Sequence, residues 1–257
     1  MKSCGSLAAA LSVLVLTMQL GGTSLAQSAD ELLLAGEPFD KRFEAREALT
    51  HYLAAEKVAP QDPRVLLRIA RQYRHLMVDA TKDAEKVRLG RLALGYAQRA
   101  VALAPNDSEA HLSVAITLGK LLPLLGKKEQ VQTSPRIRSA VDRALALDPK
   151  NDLAWHILGR WHRVLADVSG VKRMLAGAIY GSLPKGSNEE AVKAFQKAIQ
   201  LNPQRLMHYI ELGRVYAQMG KKEEARRLIH KGLAMPNVEK DDHETKARGR
   251  ETLTKLR

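Results

Sequence analysis

Residues 201–234, LNPQRLMHYIELGRVYAQMGKKEEARRLIHKGLA, decide the fold of this chain. They hold two sets of aromatic, small and apolar residues at helical spacings: Tyr209, Leu212, Gly213 and Tyr216, and then Ala225, Ile229 and Gly232. Each set lies on one face of an α-helix, because residues three, four and seven apart share a face. Gly220 separates the two sets, so we predict two amphipathic helices that a tight turn folds into an antiparallel pair.

This predicted pair resembles a tetratricopeptide repeat, a unit of about 34 residues with an aromatic-Leu-Gly-Tyr first helix and an alanine-led second helix. The resemblance implies an all-α chain, folded as a tetratricopeptide-like α-α superhelix that forms a right-handed solenoid. Stacked pairs of this kind leave a concave face, on which we expect a protein or peptide to bind.

The end of the second helix recurs along the chain, as three small or apolar residues followed by a proline. The four copies are Ala48-Tyr52-Ala55-Pro60, Ala93-Ala97-Ala100-Pro105, Ile137-Val141-Ala144-Pro149 and Ala191-Phe195-Ala198-Pro203. Internal repetition is typical of repeat proteins, and proline ends a helix because it has no N–H to donate. We therefore predict about four stacked helix pairs with prolines at their ends; unrelated helix hairpins are the alternative.

Successive prolines lie 45, 44 and 54 residues apart, which exceeds the length of an uninterrupted repeat of about 34. The excess predicts insertions between the first and second helices, at residues 79–89, 121–134 and 168–187. Breakers in the second insertion are Pro123, Gly126 and Pro135.

The third insertion contains a predicted amphipathic helix. Its apolar face holds Val171, Met174, Leu175, Ala178 and Ile179. Two interpretations are open: a lid or a membrane- or partner-binding element, and an extra helix whose apolar face packs onto its own repeat.

The region around this insertion carries a more specific resemblance. Its marks are Leu158-Gly159-Arg160-Trp161, Ala166-Asp167-Val168-Ser169, the run AGAIYGSLP at 176–184, and Glu189-Glu190-Ala191 with Phe195. Over residues 40–245 the chain is similar to the regulator of microtubule dynamics family. The resemblance implies an all-helical, non-enzymatic adaptor, whose animal members are associated with microtubules, spindle poles and membrane contacts. Tyr180-Gly181 departs from the phenylalanine-glycine pair expected there.

The first 26 residues have the features of a secretory signal peptide. Lys2 precedes an apolar stretch at 7–20, and Ser24-Leu25-Ala26 supplies a cleavage-like trio. We predict cleavage after Ala26 and export to the periplasm or beyond, with an uncleaved membrane anchor as the alternative. An exported, bacterial family member would never meet tubulin. Cys4, the one cysteine of the chain, falls in this segment.

The rest of the chain divides into three predicted parts. Residues 27–39 form a linker with Gly36 and Pro38 as breakers, and residues 40–236 form the helical repeat domain. Residues 237–257 form a capping helix, or else a mobile basic tail.

The chain shows no catalytic signature. HExxH, GxSxG, Walker and GxGxxG patterns are absent from the sequence, so we predict no catalytic, cofactor-binding or metal-ligating residues and no cofactor. His156 and His162 are six residues apart and do not share a helix face, so we predict structural or surface roles for them.

The candidate partner-binding site centres on Trp161. Its basic neighbours in sequence are Arg160, Arg163, Lys172 and Arg173. An aromatic ring among cations can hold an acidic peptide through cation–π and charge-assisted contacts, whereas we predict Trp155 to lie in the core. A net charge of +13 also suits a membrane surface or another polyanion. Nucleic acid is less favoured, because aromatic residues for stacking are few.

Overall fold

The computed structural model describes residues 27–256, so the predicted signal peptide at 1–26 lies outside the described residues. Within that range the chain forms twelve α-helices and one short 3₁₀ turn at Leu122–Leu124. The helices are α1 (Ala29–Lys41), α2 (Ala45–Val58), α3 (Pro63–Asp79), α4 (Asp83–Leu103), α5 (Ser108–Leu121), α6 (Lys127–Leu147), α7 (Asp152–Ala166), α8 (Gly170–Tyr180), α9 (Asn188–Leu201), α10 (Leu206–Gln218), α11 (Lys222–Ala234) and α12 (Asp242–Lys255).

The helices pack as five pairs: α1 with α2, α3 with α4, α5 with α6, α7 with α9, and α10 with α11. Each pair also contacts the next one along the chain, and α12 covers α10 and α11 at the end of the stack. The predicted all-α stack of helix pairs is therefore confirmed. The described residues hold five pairs instead of the predicted four. The additional pair is α1 with α2, of which only the second helix, α2, was predicted.

The predicted prolines mark the ends of the second helices. Pro60, Pro105, Pro149 and Pro203 each lie two residues after the end of α2, α4, α6 or α9. In all four helices the residue before the proline donates its backbone N–H to the carbonyl of an alanine four residues back, at 2.8–2.9 Å. This repeated geometry confirms the internal repeat.

Three of these prolines also hold the first turn of the following helix. The side chain six residues later donates to the proline carbonyl: His111 Nε2 at 2.9 Å, Trp155 Nε1 at 2.9 Å and Tyr209 Oη at 3.1 Å. Trp155 is consequently only half-buried, with its indole N–H turned back toward the preceding turn. The prediction of a core tryptophan is confirmed only in part: Trp155 packs against the edge of the core cluster that includes Val141 and Leu158, while its indole N–H serves the turn between two pairs.

Glycine lets α10 and α11 approach closely. A Cβ added to Gly213 would lie 2.6 Å from Ile229 Cγ1, and one added to Gly232 would lie 2.5 Å from Ile210 Cγ1. Gly220, in the turn between the two helices, has a φ of 77°, a left-handed conformation that favours glycine. The close approach predicted for this pair is confirmed.

The predicted linker at 27–39 was wrong, because most of it belongs to α1. Ser28 and Glu31 form a capping box, in which the Ser28 hydroxyl accepts from the Glu31 N–H at 3.2 Å. Gly36 packs against the ring of buried Tyr52, and Pro38 lies within the last four residues of the helix, near its end. Both residues were interpreted as breakers, but Gly36 lies inside the helix and packs against Tyr52, and Pro38 lies in the last turn without ending the helix.

Most residues of the first two predicted insertions lengthen the second helices of their pairs, α4 and α6. Helices α4 and α6 each span 21 residues, against 13 for α11, so the additional residues extend the helix at its N-terminal end. Pro135 lies inside α6 and does not break it, whereas Pro123 lies in the 3₁₀ turn and Gly126 is the N-cap. The third insertion forms α8 and its flanking segments.

Candidate functional site

A cavity of about 870 Å³ lies on the concave side of the stack. Its wall comes mainly from the first helices of the pairs, α1, α3, α5 and α7, and from the residues around the start of α10. Charged side chains dominate this wall, and several are paired across helices. Arg68 of α3, for example, contacts Glu37 at 3.1 Å and buried Asp40 at 3.3 Å.

Two arginines on this wall have no carboxylate within 4 Å among the described residues. Arg74 donates only to hydroxyls, to Ser113 Oγ at 2.8 Å and Thr117 Oγ1 at 3.3 Å. Burial, with nearby Arg71, lowers the pKa of Arg74 to about 10. Arg160 makes neither a hydrogen bond nor an ion pair within residues 27–256, and burial lowers its pKa as well. Both side chains remain cationic near neutral pH and face the cavity without an ion-pair partner among residues 27–256.

The segment between α11 and α12, residues 235–241, crosses the concave side; we call it the strap. Lys240 Nζ of the strap lies 2.7 Å from Asp79 Oδ1 at the end of α3, and Asp241 Oδ2 lies 2.7 Å from Lys120 Nζ of α5. Residues from the last helix pair thus contact the second and third pairs. The cavity is closed on this side and is not an open trough.

Arg163, a predicted partner-binding residue, belongs to a buried ion network. Glu211 of α10 is fully buried and contacts Arg214 at 2.7 Å, Arg163 at 3.3 Å and Arg248 of α12 at 3.5 Å. Burial alone would raise the pKa of Glu211, but the surrounding guanidinium groups outweigh it and hold the pKa well below its usual range. This network joins α7, α10 and α12, so Arg163 is engaged inside the fold.

The predicted structural histidines are buried. His156 Nδ1 lies 3.0 Å from His208 Nδ1, and His208 Nε2 lies 2.9 Å from Asp152 Oδ2. If His208 donates to Asp152, its other nitrogen accepts from His156, so both rings fit the chain as neutral imidazoles. His162 is also nearly buried, beside Arg138 of α6. Residues 27–256 contain no cluster of three or more His, Cys, Asp or Glu side chains suited to a metal ion.

A second, apolar groove of about 420 Å³ lies between α6, α7 and α8. Trp161 forms part of its wall but is only 8% exposed, and its Nε1 donates to the Ser134 carbonyl at 2.9 Å. The cation over its ring is Arg138, at 5.1 Å, and not one of the four predicted basic neighbours. Trp161 is therefore a core residue that borders a groove, which corrects the expectation that its ring lies among the predicted basic neighbours.

Helix α8 leaves its apolar residues exposed. Val171, Met174 and Ile179 are 65%, 68% and 65% exposed, and the helix contains no buried residue. The interpretation of α8 as an extra helix that buries its apolar face in its own repeat was wrong. Arg173 instead holds the helix at its polar side, by donating to the carbonyls of Leu165, Leu183 and Pro184.

The five predicted partner-binding residues do not form one surface. Arg163 and Arg173 are engaged inside the fold, while Lys172 and Trp161 border the apolar groove. Arg160 lines both the groove and the concave cavity.

Sequence reasoning missed Arg74, Lys120 and the strap. One signal was available: the residue after the small residue of the first helix is arginine in three units, Arg71, Arg160 and Arg214. Aligning the units on that small residue indicates Arg71 and Arg160 of the cavity wall, but Arg214 pairs with buried Glu211, and the pattern does not reach Arg74 or Lys120. The strap has no such signal, because its position depends on contacts across the whole solenoid.

Residues 25–257 match the family described as Regulator of microtubule dynamics protein 1-3. The chain belongs to this family. Regulator of microtubule dynamics protein 3 of Bos taurus is 30% identical over 225 residues, which cover 85% of this chain and 45% of that protein. Protein 1 of Mus musculus is 27% identical over 198 residues, covering 76% of this chain and 65% of that protein. The chain spans about half the length of the protein 2 and protein 3 relatives that it matches.

Solved structures place this family member among tetratricopeptide-like folds. A thermophilic TPR protein of Thermus thermophilus superposes with a TM-score of 0.65 at 18% identity, covering 88% of this chain and 100% of that one. A tetratricopeptide repeat protein from Parabacteroides merdae gives 0.53 at 16% identity, covering 89% and 77%. Among residues 27–256, no helix combines the length and apolar character that crossing a bilayer requires.

Proposed function

We propose that the chain is a non-catalytic scaffold that binds an acidic segment of a protein or peptide in its concave cavity. The observation that carries the proposal is the pair Arg74 and Arg160, which face this cavity without a carboxylate within 4 Å. A carboxylate placed there gains charge-assisted hydrogen bonds in a site shielded from water. The remaining cations of the wall are paired already, so these two would set the position of the partner's acids.

Fluorescence anisotropy with a labelled octapeptide of alternating glutamate and glycine tests this proposal. We expect binding that weakens with salt, and no binding of the equivalent lysine–glycine peptide. Arg160→Ala and Arg74→Ala should each weaken binding by about tenfold, a typical loss for a charge-assisted contact. Arg227→Ala removes an exposed arginine of α11 outside the cavity and serves as the matched control. Equal losses in all three variants would mean that general charge attraction, and not the cavity, holds the peptide.

A second candidate function concerns the membrane surface. The observation that favours it is the exposed apolar face of α8, with Lys172 on its polar side. Such a helix can insert its apolar side chains at a lipid interface. Vesicles containing anionic lipid should co-sediment with the chain, and Val171→Ser with Met174→Ser should abolish this. The control is Val58→Ser with Leu103→Ser, exposed apolar residues on other helices; loss in both pairs would exclude α8 as the specific contact.

We also propose that the chain is exported and acts outside the cytoplasm. Support comes from the sequence alone, from Lys2, the apolar stretch at 7–20 and the trio before Gln27. The alternative keeps the N-terminal segment as a membrane anchor, with an organelle-associated role or a role at microtubules, the structures that the names of the animal relatives mention. N-terminal sequencing of the protein made in cells decides this: export with cleavage gives a chain that begins at Gln27, and an anchor gives an intact N-terminus.

A further inference from the structure

We propose that the strap, residues 235–241, occupies part of the peptide site, and that an acidic partner displaces it. This inference rests on the proposed function, because it assumes that the concave cavity binds acidic segments. It adds that the chain carries its own competitor for that cavity.

The strap makes the contacts that an acidic peptide would make. Glu239 Oε1 accepts from Arg205 at 2.6 Å, and Asp241 Oδ2 accepts from Lys120 Nζ at 2.7 Å. Burial alone would raise the pKa of Asp241, but Lys120 and Arg248 lower it to about 2. Both carboxyls belong to the cavity wall, which also includes Arg74 and Arg160. Glu239 and Asp241 of the strap therefore pair with cations of this cavity. Arg74 and Arg160, in contrast, have no carboxylate within 4 Å among residues 27–256.

Ion pairs and hydrogen bonds, and not apolar packing, hold the strap. The N–H groups of Val238 and Glu239 both donate to buried Asp242 Oδ2 at 2.8 Å. Residues 235–241 are half-buried or exposed, and the Val238 side chain is 52% exposed. The pairs that anchor it, at Asp79, Lys120 and Arg205, are partly open to solvent. Partly exposed ion pairs contribute roughly 1 kcal/mol or less each, so the strap can open at modest cost.

Opening the strap changes the binding site in a defined way. Lys120 loses its only carboxylate partner and becomes available beside Arg74 and Arg160, while Arg205 loses Glu239 but keeps Asp152 at 3.1 Å. An incoming segment with several acids can pair with Lys120, Arg74 and Arg160 and replace Glu239 at Arg205, whereas a neutral or basic segment leaves Lys120 unpaired. The strap thus favours acidic partners, because only they compensate for its release.

The test uses the full chain and the glutamate–glycine octapeptide. Glu239→Gln with Asp241→Asn weakens the strap, and we expect this variant to bind the peptide about fivefold more tightly than the unaltered chain, since two partly exposed ion pairs no longer compete. Glu244→Gln with Glu251→Gln neutralises two exposed acids of α12 and makes the same change in net charge. This control should bind within about twofold of the unaltered chain, the range of weak surface effects.

A second variant guards against damage to the fold. Asp79→Asn removes the strap's contact with α3 but leaves every cation of the cavity in place, and should tighten binding by about twofold. Equal gains in the two double variants would overturn the inference, because bulk charge would then explain them. Peptide binding that depends on Arg160 but does not respond to the strap variants would also overturn it, and would leave the proposed function standing. If neither the unaltered chain nor any variant binds the peptide, the proposed function is wrong, and the inference that rests on it is wrong as well.

Discussion

The α10–α11 pair and the α7–α9 pair show how far a helix pair tolerates an interruption. Three residues connect the first pair, whereas 21 residues, including α8, connect the second. Both pairs nevertheless pack in the same way, with a glycine of the first helix against a large side chain of the second: Gly213 against Ile229, and Gly159 against Phe195. Packing of the pair thus depends on the small residue and its partner, and the connection between them is free to carry another element.

The largest effect should come from removing the partner side chain in the interrupted pair. Phe195 is fully buried, and its ring lies 5.3 Å from the ring of His156, centroid to centroid. Phe195→Ala should lower the free energy of unfolding by about 4 kcal/mol, because it leaves a cavity between α7 and α9. Tyr180→Ala, an aromatic truncation on exposed α8, is the control and should cost less than about 1 kcal/mol. Similar costs in denaturant unfolding would mean that α8 belongs to the core.

The second prediction addresses the small residue itself. A Cβ at Gly213 would lie 2.6 Å from Ile229 Cγ1 and 3.0 Å from the Ala225 carbonyl oxygen, so Gly213→Ala forces α10 and α11 apart. We expect a loss of about 2 kcal/mol in unfolding free energy, as for other overpacked sites. Gly95 lies within α4 with nothing within 4 Å of an added Cβ, so Gly95→Ala should stabilise the chain by about 0.5–1 kcal/mol. A stabilising Gly213→Ala would contradict the close approach of this pair.

These residues also show what could be predicted from the sequence. The helix pairs, their prolines and the role of Gly213 followed from spacing, since each is set by contacts within one unit or between neighbours. Helix α1 was missed because Gly36 and Pro38 indicate a loop in isolation, and only packing on Tyr52 shows otherwise. Of the candidate site, Arg160 lines the concave cavity, whereas Arg163 is engaged by Glu211, an acid 48 residues later that no local pattern connects to it.

The third prediction concerns the interface that joins the two pairs. Burial lowers the pKa of His156 on α7 and of His208 on α10 below their unfolded value, although Asp152 partly opposes this at His208. The unfolded chain therefore binds more protons, so stability is fully present above about pH 6.5 and is lost as the pH falls toward the folded-state values. His156→Gln removes one of these groups and should reduce the fall in unfolding free energy between about pH 7 and about pH 5, because one proton fewer is taken up on unfolding. An unchanged slope would mean that the pKa of His156 is the same in the folded and the unfolded chain.

The smallest expected effect on stability concerns α8, the helix inserted between α7 and α9. Met174 is 68% exposed, so Met174→Ser removes almost no buried surface and should change the free energy of unfolding by less than about 0.5 kcal/mol. In hydrogen exchange, the amides of α8 should exchange well before those of α7 and α9, because the polar clamp of Arg173 holds the helix without help from buried apolar contacts. Arg173→Ala should accelerate exchange in α8 further and leave α7 and α9 unchanged. Protection of α8 equal to that of its neighbours would show that the inserted helix folds as one unit with the pair it interrupts, and that the connection is not free.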